Sequence, residues 1–160
     1  MKTLILMRHA KAEHFSSDLT DIHRELLPDG MHDAKKSAKK LLNLKLKIDE
    51  LIASPSVRTI ETSRIVRDVM LHHIKSSSVQ ERIYDASLDT LLGVISGVPN
   101  SVDTLMLIGH NPGLEELAEH FVGRSIHMRT SDLILLYFDS DTWQTIEVET
   151  PSKVLEHDEI

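Results

Sequence analysis

Leu4-Ile5-Leu6-Met7 is a short, unbroken apolar run that stops at Arg8-His9. Such a run has no wet side, so it predicts a strand covered on both faces, as in the parallel sheet of an α/β domain. Two later stretches repeat the pattern: Leu51-Ile52-Ala53 runs into Ser54-Pro55-Ser56-Val57-Arg58, and Leu105-Met106-Leu107-Ile108 into Gly109-His110-Asn111-Pro112. Ligands of open α/β sheets sit in the crevice beyond the carboxyl ends of the strands. The pattern therefore predicts that Arg8, His9, Arg58 and His110 converge on one sheet edge.

Two arginines and two histidines at one spot suit a phosphoryl group. A guanidinium presents a planar fork that binds phosphate oxygens bidentately and keeps its charge, so Arg8 and Arg58 would offset the charge of the transferred group. The same cations disfavour protonation of an imidazole, which leaves His9 neutral with a lone pair able to attack phosphorus. His110, if protonated, would add charge and a donor for the equatorial oxygens. Such stabilisation is the main catalytic task in phosphoryl transfer.

Arg8-His9 after an N-terminal strand, Ser54-Pro55 with Arg58 and Glu61-Thr62, and Gly109-His110 before a helix resemble the histidine phosphatase superfamily, formerly the phosphoglycerate mutase-like group. The short chain and the wording Arg8-His9-Ala10-Lys11-Ala12 resemble its SixA-type phosphohistidine phosphatase branch. The resemblance implies a phosphoglycerate mutase-like fold, a transient phosphoryl group on His9, a phosphate pocket of Arg8, His9, Arg58 and His110, and neither metal nor cofactor. It also implies the substrate: protein phosphohistidine, as on a phosphotransfer domain. A small-metabolite phosphomonoesterase is the alternative within the superfamily, and a non-catalytic phosphate-binding module the alternative outside enzymes.

The sequence departs from the wider pattern in two places. Ala10 stands where a glycine is common, so that turn cannot need a positive φ. Larger members carry an acidic residue between the second Arg and the second His, and here Glu81 and Asp85 stand in that interval without the surrounding glycine and aromatic pattern. In the SixA-type branch a comparable early stretch bears an Asp, then an Arg before a leucine, onto which Asp21, Arg24 and Leu26 can be laid. The proton donor is thus open between Asp18, Asp21 and Glu81.

With 160 residues the chain is expected to form one domain, residues 1–160, as a three-layer α/β/α sandwich with a mostly parallel central sheet and an antiparallel edge. A net charge of -7 argues against a nucleic-acid partner. The absence of cysteine removes disulfides and thiolate chemistry and fits a reducing compartment, and the apolar run before Arg8 is too short for a signal-peptide core. A cytoplasmic protein with no membrane partner is expected. His72-His73 lacks the spacing of a helical zinc site.

Along the chain, residues 11–28 show no period and predict a loop over the pocket. Asp29 is expected to cap a helix bearing Met31, Ala34, Ala38, Leu41 and Leu42 on one side and Lys35, Lys36, Lys39 and Lys40 on the other. Ile60, Ile65, Val66 and Val69 predict the inner face of a helix beginning near Ser56. Residues 79–83 suggest an edge strand, and Ser87 a cap for a helix over 88–95. Asn111 and Pro112 are expected to cap and open a helix that buries Leu114, Leu117 and Phe121. Residues 131–138 and 143–148 read as a hairpin, and the polar residues 151–160 as a flexible tail.

Overall fold

In the computed structural model, which describes residues 1–16 and 19–160, the apolar runs become neighbours in one sheet. Strands β1 (Lys2–Arg8), β2 (Glu50–Ala53), β3 (Ser77–Val79) and β4 (Thr104–Gly109) run parallel. Strand β5 (Leu133–Phe138) pairs antiparallel with β1, and β6 (Lys153–Glu156) antiparallel with β5, giving the order β3-β2-β4-β1-β5-β6.

The alternation of side chains along each strand divides the apolar runs between two cores. Ile5, Met7, Met106 and Ile108 face helices α1 (Pro28–Asn43) and α2 (Val57–Met70), where Ala34, Ala38, Leu41, Val66 and Met70 meet them. Leu4, Leu6, Leu105 and Leu107 face α3 (Leu88–Ser96) and α4 (Gly113–Val122), which supply Leu91, Leu92, Leu114, Leu117 and Phe121. A strand covered twice must be apolar at every position, which is why the runs show no alternation. The result is the three-layer sandwich with an antiparallel edge.

Several local expectations need correction. The first helix starts at Pro28 with Leu27 as its cap residue, and Asp29 lies inside the first turn, paired with Lys11 at 3.0 Å. Proline is preorganised for a first helical position, so no side-chain cap is required. Lys40 does not lie on a wholly solvated face, since its ammonium donates to the carbonyls of His157 and Ile160. The buried side of α2 is largely hydroxylic, with Thr59, Thr62 and Ser63 beside Val66 and Met70, while Ile60, Ile65 and Val69 are only half-buried. Those hydroxyls satisfy backbone at the strand ends: Thr59 donates to Ser54 O, and Thr62 accepts from Ala10 N.

The edge strand lies at Ser77–Val79, and Glu81 opens a 3-10 turn, Glu81–Ile83, instead of continuing it. Asn111 does not cap α4; its amide donates to Met128 O at 2.9 Å.

The predicted hairpin is replaced by a different pairing. Trp143 is fully buried in the α3/α4 core and its Nε1–H donates to Val102 O at 2.6 Å, so Trp143 and Ile146 point inward and the stretch ends in the 3-10 turn Ile146–Val148. The strand beside β5 comes from residues 151–160, which were expected to be a flexible tail. They form β6 and a 3-10 turn, His157–Glu159, closed by a reciprocal capping box between Glu156 and Glu159. A half-exposed edge strand needs little apolar content, and this one is held by its ladder to β5, while Lys40 holds the turn that follows it.

Candidate active site

The four residues singled out from the sequence meet at the carboxyl edge of β1, β2 and β4. Register brings them there: Arg8 is opposite Gly109 and Ala53 opposite Ile108, so His9, Ser54 and His110 each stand one residue past a strand end. The ladder continues through them, with His9 N donating to Gly109 O and Ser54 N to Ile108 O. Ser131, at φ 66°, donates its backbone N–H to the carbonyls of both Arg8 and His9. The turn carrying the histidine is therefore braced from both neighbouring segments.

The His9 and His110 rings lie 5.5 Å apart and are 7% and 9% exposed. His9 Nδ1 is 2.7 Å from Ala10 O, which requires a proton on Nδ1 and leaves the lone pair on Nε2. Burial above all, then Arg58, His110 and Arg8, push its pKa down to about 3 against the smaller opposing effect of the Ala10 hydrogen bond. His9 is neutral at pH 7.

His110 corrects an expectation. Protonated, it would have added charge for the equatorial oxygens, but the ring is buried and neutral in the free site. Burial first and Arg58 second push its pKa down to about 4, with Asp21 opposing. The tautomer is forced as well. Arg58 Nη2 lies 3.1 Å from His110 Nδ1 and can only donate, so the His110 proton is on Nε2, which donates to Ser54 Oγ at 2.7 Å.

Arg58, in the first turn of α2, is 5% exposed. Its Nη1 donates to Asp21 O at 2.7 Å and its Nη2 to Asp21 Oδ2 at 3.1 Å. Arg8 donates from Nη1 to Met128 O at 3.2 Å. The Nε of each arginine is buried without a partner. Unpaired buried N–H groups are costly, and a pair of them beside two neutral imidazoles is a donor set that an oxyanion would satisfy.

The proposed proton donors fare differently. Asp21 reaches the site from the 3-10 turn Asp21–His23. Burial would raise its pKa, but the Tyr84 hydroxyl, Arg58 and Arg24 outweigh it and hold the carboxyl down to about 2. Asp21 is an ionised acceptor here. Glu81 is exposed on its 3-10 turn, and Asp18 lies outside the described residues. The residue missed from sequence is Tyr84, whose hydroxyl donates to Asp21 Oδ2 and whose ring meets His110 edge-on at 5.4 Å. Nothing in its local pattern signals that contact. Among the described residues no three His, Asp or Glu side chains gather closely enough to hold a metal ion.

These groups are expected to make the fold acid-sensitive. Both histidines have native pKa values below the ordinary 6.5, so between pH 6.5 and about 4 the unfolded chain takes up protons that the native one refuses. Their contribution is complete above pH 6.5 and falls as pH drops, by up to about 1.4 kcal/mol per unit for each ring. Urea unfolding at pH 7 and pH 4.5 should show this loss, and His110→Asn should flatten the slope. An unchanged slope in that variant would mean that His110 titrates normally in the native state.

The sequence profile of the histidine phosphatase superfamily (branch 1) matches residues 4–88, more than half of the chain. The chain belongs to this superfamily. A chloroplastic protein of uncharacterised function from Arabidopsis thaliana is 29% identical over 151 residues, covering 89% of this chain and 69% of its own. An uncharacterised protein from Mycobacterium leprae is 25% identical over 165 residues, covering 94% of this chain and 98% of its own. Among solved structures, a protein histidine phosphatase SixA complexed with tungstate is similar at TM-score 0.81 and 20% identity, over 98% of this chain and 97% of that one. A candidate phosphohistidine phosphatase SixA from Agrobacterium tumefaciens is similar at TM-score 0.81 and 23% identity, over 96% and 97%. An α-ribazole-5'-phosphate phosphatase candidate from Escherichia coli is similar at TM-score 0.70 and 12% identity, over 98% and 97%. At these identities the solved structures establish the shared phosphoglycerate mutase-like fold.

Proposed function

We propose that this histidine phosphatase superfamily member hydrolyses protein phosphohistidine through a phosphoryl group carried on His9. In the first step His9 Nε2 attacks phosphorus, the bond from phosphorus to the substrate nitrogen breaks, and the substrate imidazole leaves. In the second, water attacks phosphorus, the bond to Nε2 breaks, and inorganic phosphate departs with His9 neutral again. Arg8 and Arg58 offset the charge on the equatorial oxygens, and the Nε2–H of His110 becomes available to them if it turns from Ser54.

The observation that carries this reading is the state of the acid groups. Asp21, the carboxylate that contacts the site among the described residues, accepts from Arg24 on Oδ1 and from Arg58 and Tyr84 on Oδ2. It has no proton to give. An alkoxide leaving group needs one, whereas a neutral imidazole leaves readily from a phosphoramidate protonated on nitrogen, its conjugate acid having a pKa of about 6.5. With the groups it shows among the described residues, the site thus favours a phosphoryl group on nitrogen over one on a sugar hydroxyl. The SixA proteins of similar fold support the same reading by their names. The cysteine-free composition fits a reducing compartment, and we place the reaction in the cytoplasm.

Rapid quench with a labelled phosphohistidine-bearing phosphotransfer domain should trap acid-labile label on His9. Turnover of that substrate should exceed turnover of sugar phosphates by about 10²-fold, the scale of general-acid assistance. Equal rates on sugar phosphates would favour a metabolite phosphatase, and binding without label or turnover a recognition module.

A further inference from the structure

We propose that Tyr84 is a positioning residue: its hydroxyl holds the Asp21 carboxylate against the far edge of the Arg58 guanidinium, so that Arg58 presents its free N–H groups to the bound oxyanion. The inference rests on the reading of Arg58 as a phosphate ligand and adds a residue that neither the sequence motifs nor the family match singles out.

The geometry is specific. Asp21 engages Nη1 through its backbone carbonyl and Nη2 through Oδ2, and His110 takes a further Nη2 bond. What remains uncommitted includes Nε, which is buried without a partner. A guanidinium on a long flexible stem loses rotamer freedom when ordered, so the fork is useful for binding only if something fixes its orientation beforehand. Asp21 does that only if it is itself fixed.

Its side chain is 41% exposed, and an exposed ion pair alone contributes little. Arg24 grips Oδ1 from Nε at 3.1 Å and Nη2 at 2.9 Å, but it stands on the same excursion between β1 and α1, where its other side-chain bond goes to Glu13 O. The excursion closes on itself through Glu13 N to Glu25 O and Leu27 N to Lys11 O. Tyr84 comes from the opposite side, at the end of the Glu81–Ile83 turn and 63 positions away in the chain. Its ring is already seated edge-on against His110. The Tyr84 hydroxyl therefore ties the excursion to the sheet-edge side of the pocket.

The test is a double-mutant cycle on the full chain, read as tungstate affinity by calorimetry so that turnover is not required. Tyr84→Phe should weaken tungstate binding roughly tenfold, the effect expected for loss of one hydrogen bond to a charged group. In an Asp21→Ala background the same change should alter affinity less than about twofold, because the intermediary is gone. Unchanged affinity in Tyr84→Phe, or an equal loss in both backgrounds, overturns the proposal.

If Tyr84→Phe does not fold, the phenol itself serves as the probe. The Asp21 hydrogen bond, then burial, raise the Tyr84 pKa above its ordinary value, and Asp21→Ala should bring the titration back down. A titration indifferent to that substitution sinks the link. A parent chain that binds no tungstate would instead overturn the reading of the site as an oxyanion pocket. Full binding by the parent with no effect of Tyr84→Phe removes the Tyr84 role alone.

Discussion

Replacing His9 with alanine is expected to lower kcat/KM for phosphohistidine hydrolysis by roughly 10⁴-fold or more and to abolish the labelled intermediate. The ring keeps an uncommitted lone pair on Nε2, because its Nδ1 proton goes to Ala10 O. His110 gives its Nδ1 lone pair to Arg58 and its Nε2 proton to Ser54, so it cannot substitute without breaking both contacts. The remaining oxyanion cradle would still bind phosphate, which gives the experiment a second readout. Tungstate affinity should stay within about tenfold of the parent while turnover disappears, the signature of lost chemistry and not of lost binding. The variant should also unfold less readily in acid, because it lacks a buried imidazole held down to about 3. A His9→Ala chain that retains more than a tenth of the parental rate would end the covalent mechanism.

Gly30→Ala is expected to destabilise the protein by about 3 kcal/mol, the upper part of the range for forcing an atom into a packed interior. Helix propensity alone says the opposite, since alanine in a helix interior is favoured over glycine by about 1 kcal/mol. Position decides the sign. A β-carbon at Gly30 would lie 2.2 Å from Lys11 O and 2.9 Å from Lys11 N, both backbone atoms that cannot rotate away. Lys11 is two residues beyond His9, and its carbonyl accepts from Leu27 N at the start of α1. The clash therefore either lifts the helix start or displaces the chain that leaves the nucleophile. A fall in kcat/KM of about tenfold or more should accompany the loss of stability, because displacements of about 1 Å cost that much in a positioned site. Urea unfolding at pH 7 checks the first effect and steady-state rates the second. A variant as stable as the parent would show that α1 can shift freely, and that its close approach is incidental.

The convergence of Arg8, His9, Arg58 and His110 was legible because it depends on two local facts. Unbroken apolar runs are doubly covered strands, and parallel strands deliver their carboxyl ends to one edge. No long-range contact had to be guessed for either. The edge pairing was not legible. Residues 143–148 have the composition of a strand, yet Trp143 is worth more inside the α3/α4 core, where its indole N–H finds Val102 O. Residues 153–156 lack that composition and still form β6, because the open side of β5 supplies the hydrogen bonds. The polar inner face of α2 was missed for a similar reason: Thr59 and Thr62 are buried to satisfy backbone in other segments, which periodicity does not encode.

The amino-acid sequence by itself determined that Arg8, His9 and His110 stand at the carboxyl ends of parallel strands and Arg58 just beyond one. Only the tertiary structure decided their protonation and their partners. Burial, with Arg58 adding to it, pushes the His110 pKa down, and against burial Tyr84 and Arg58, tens of residues distant, hold the Asp21 carboxyl below its ordinary range. Desolvation and hydrogen bonding act through space, and a pKa is a property of the surroundings that folding assembles.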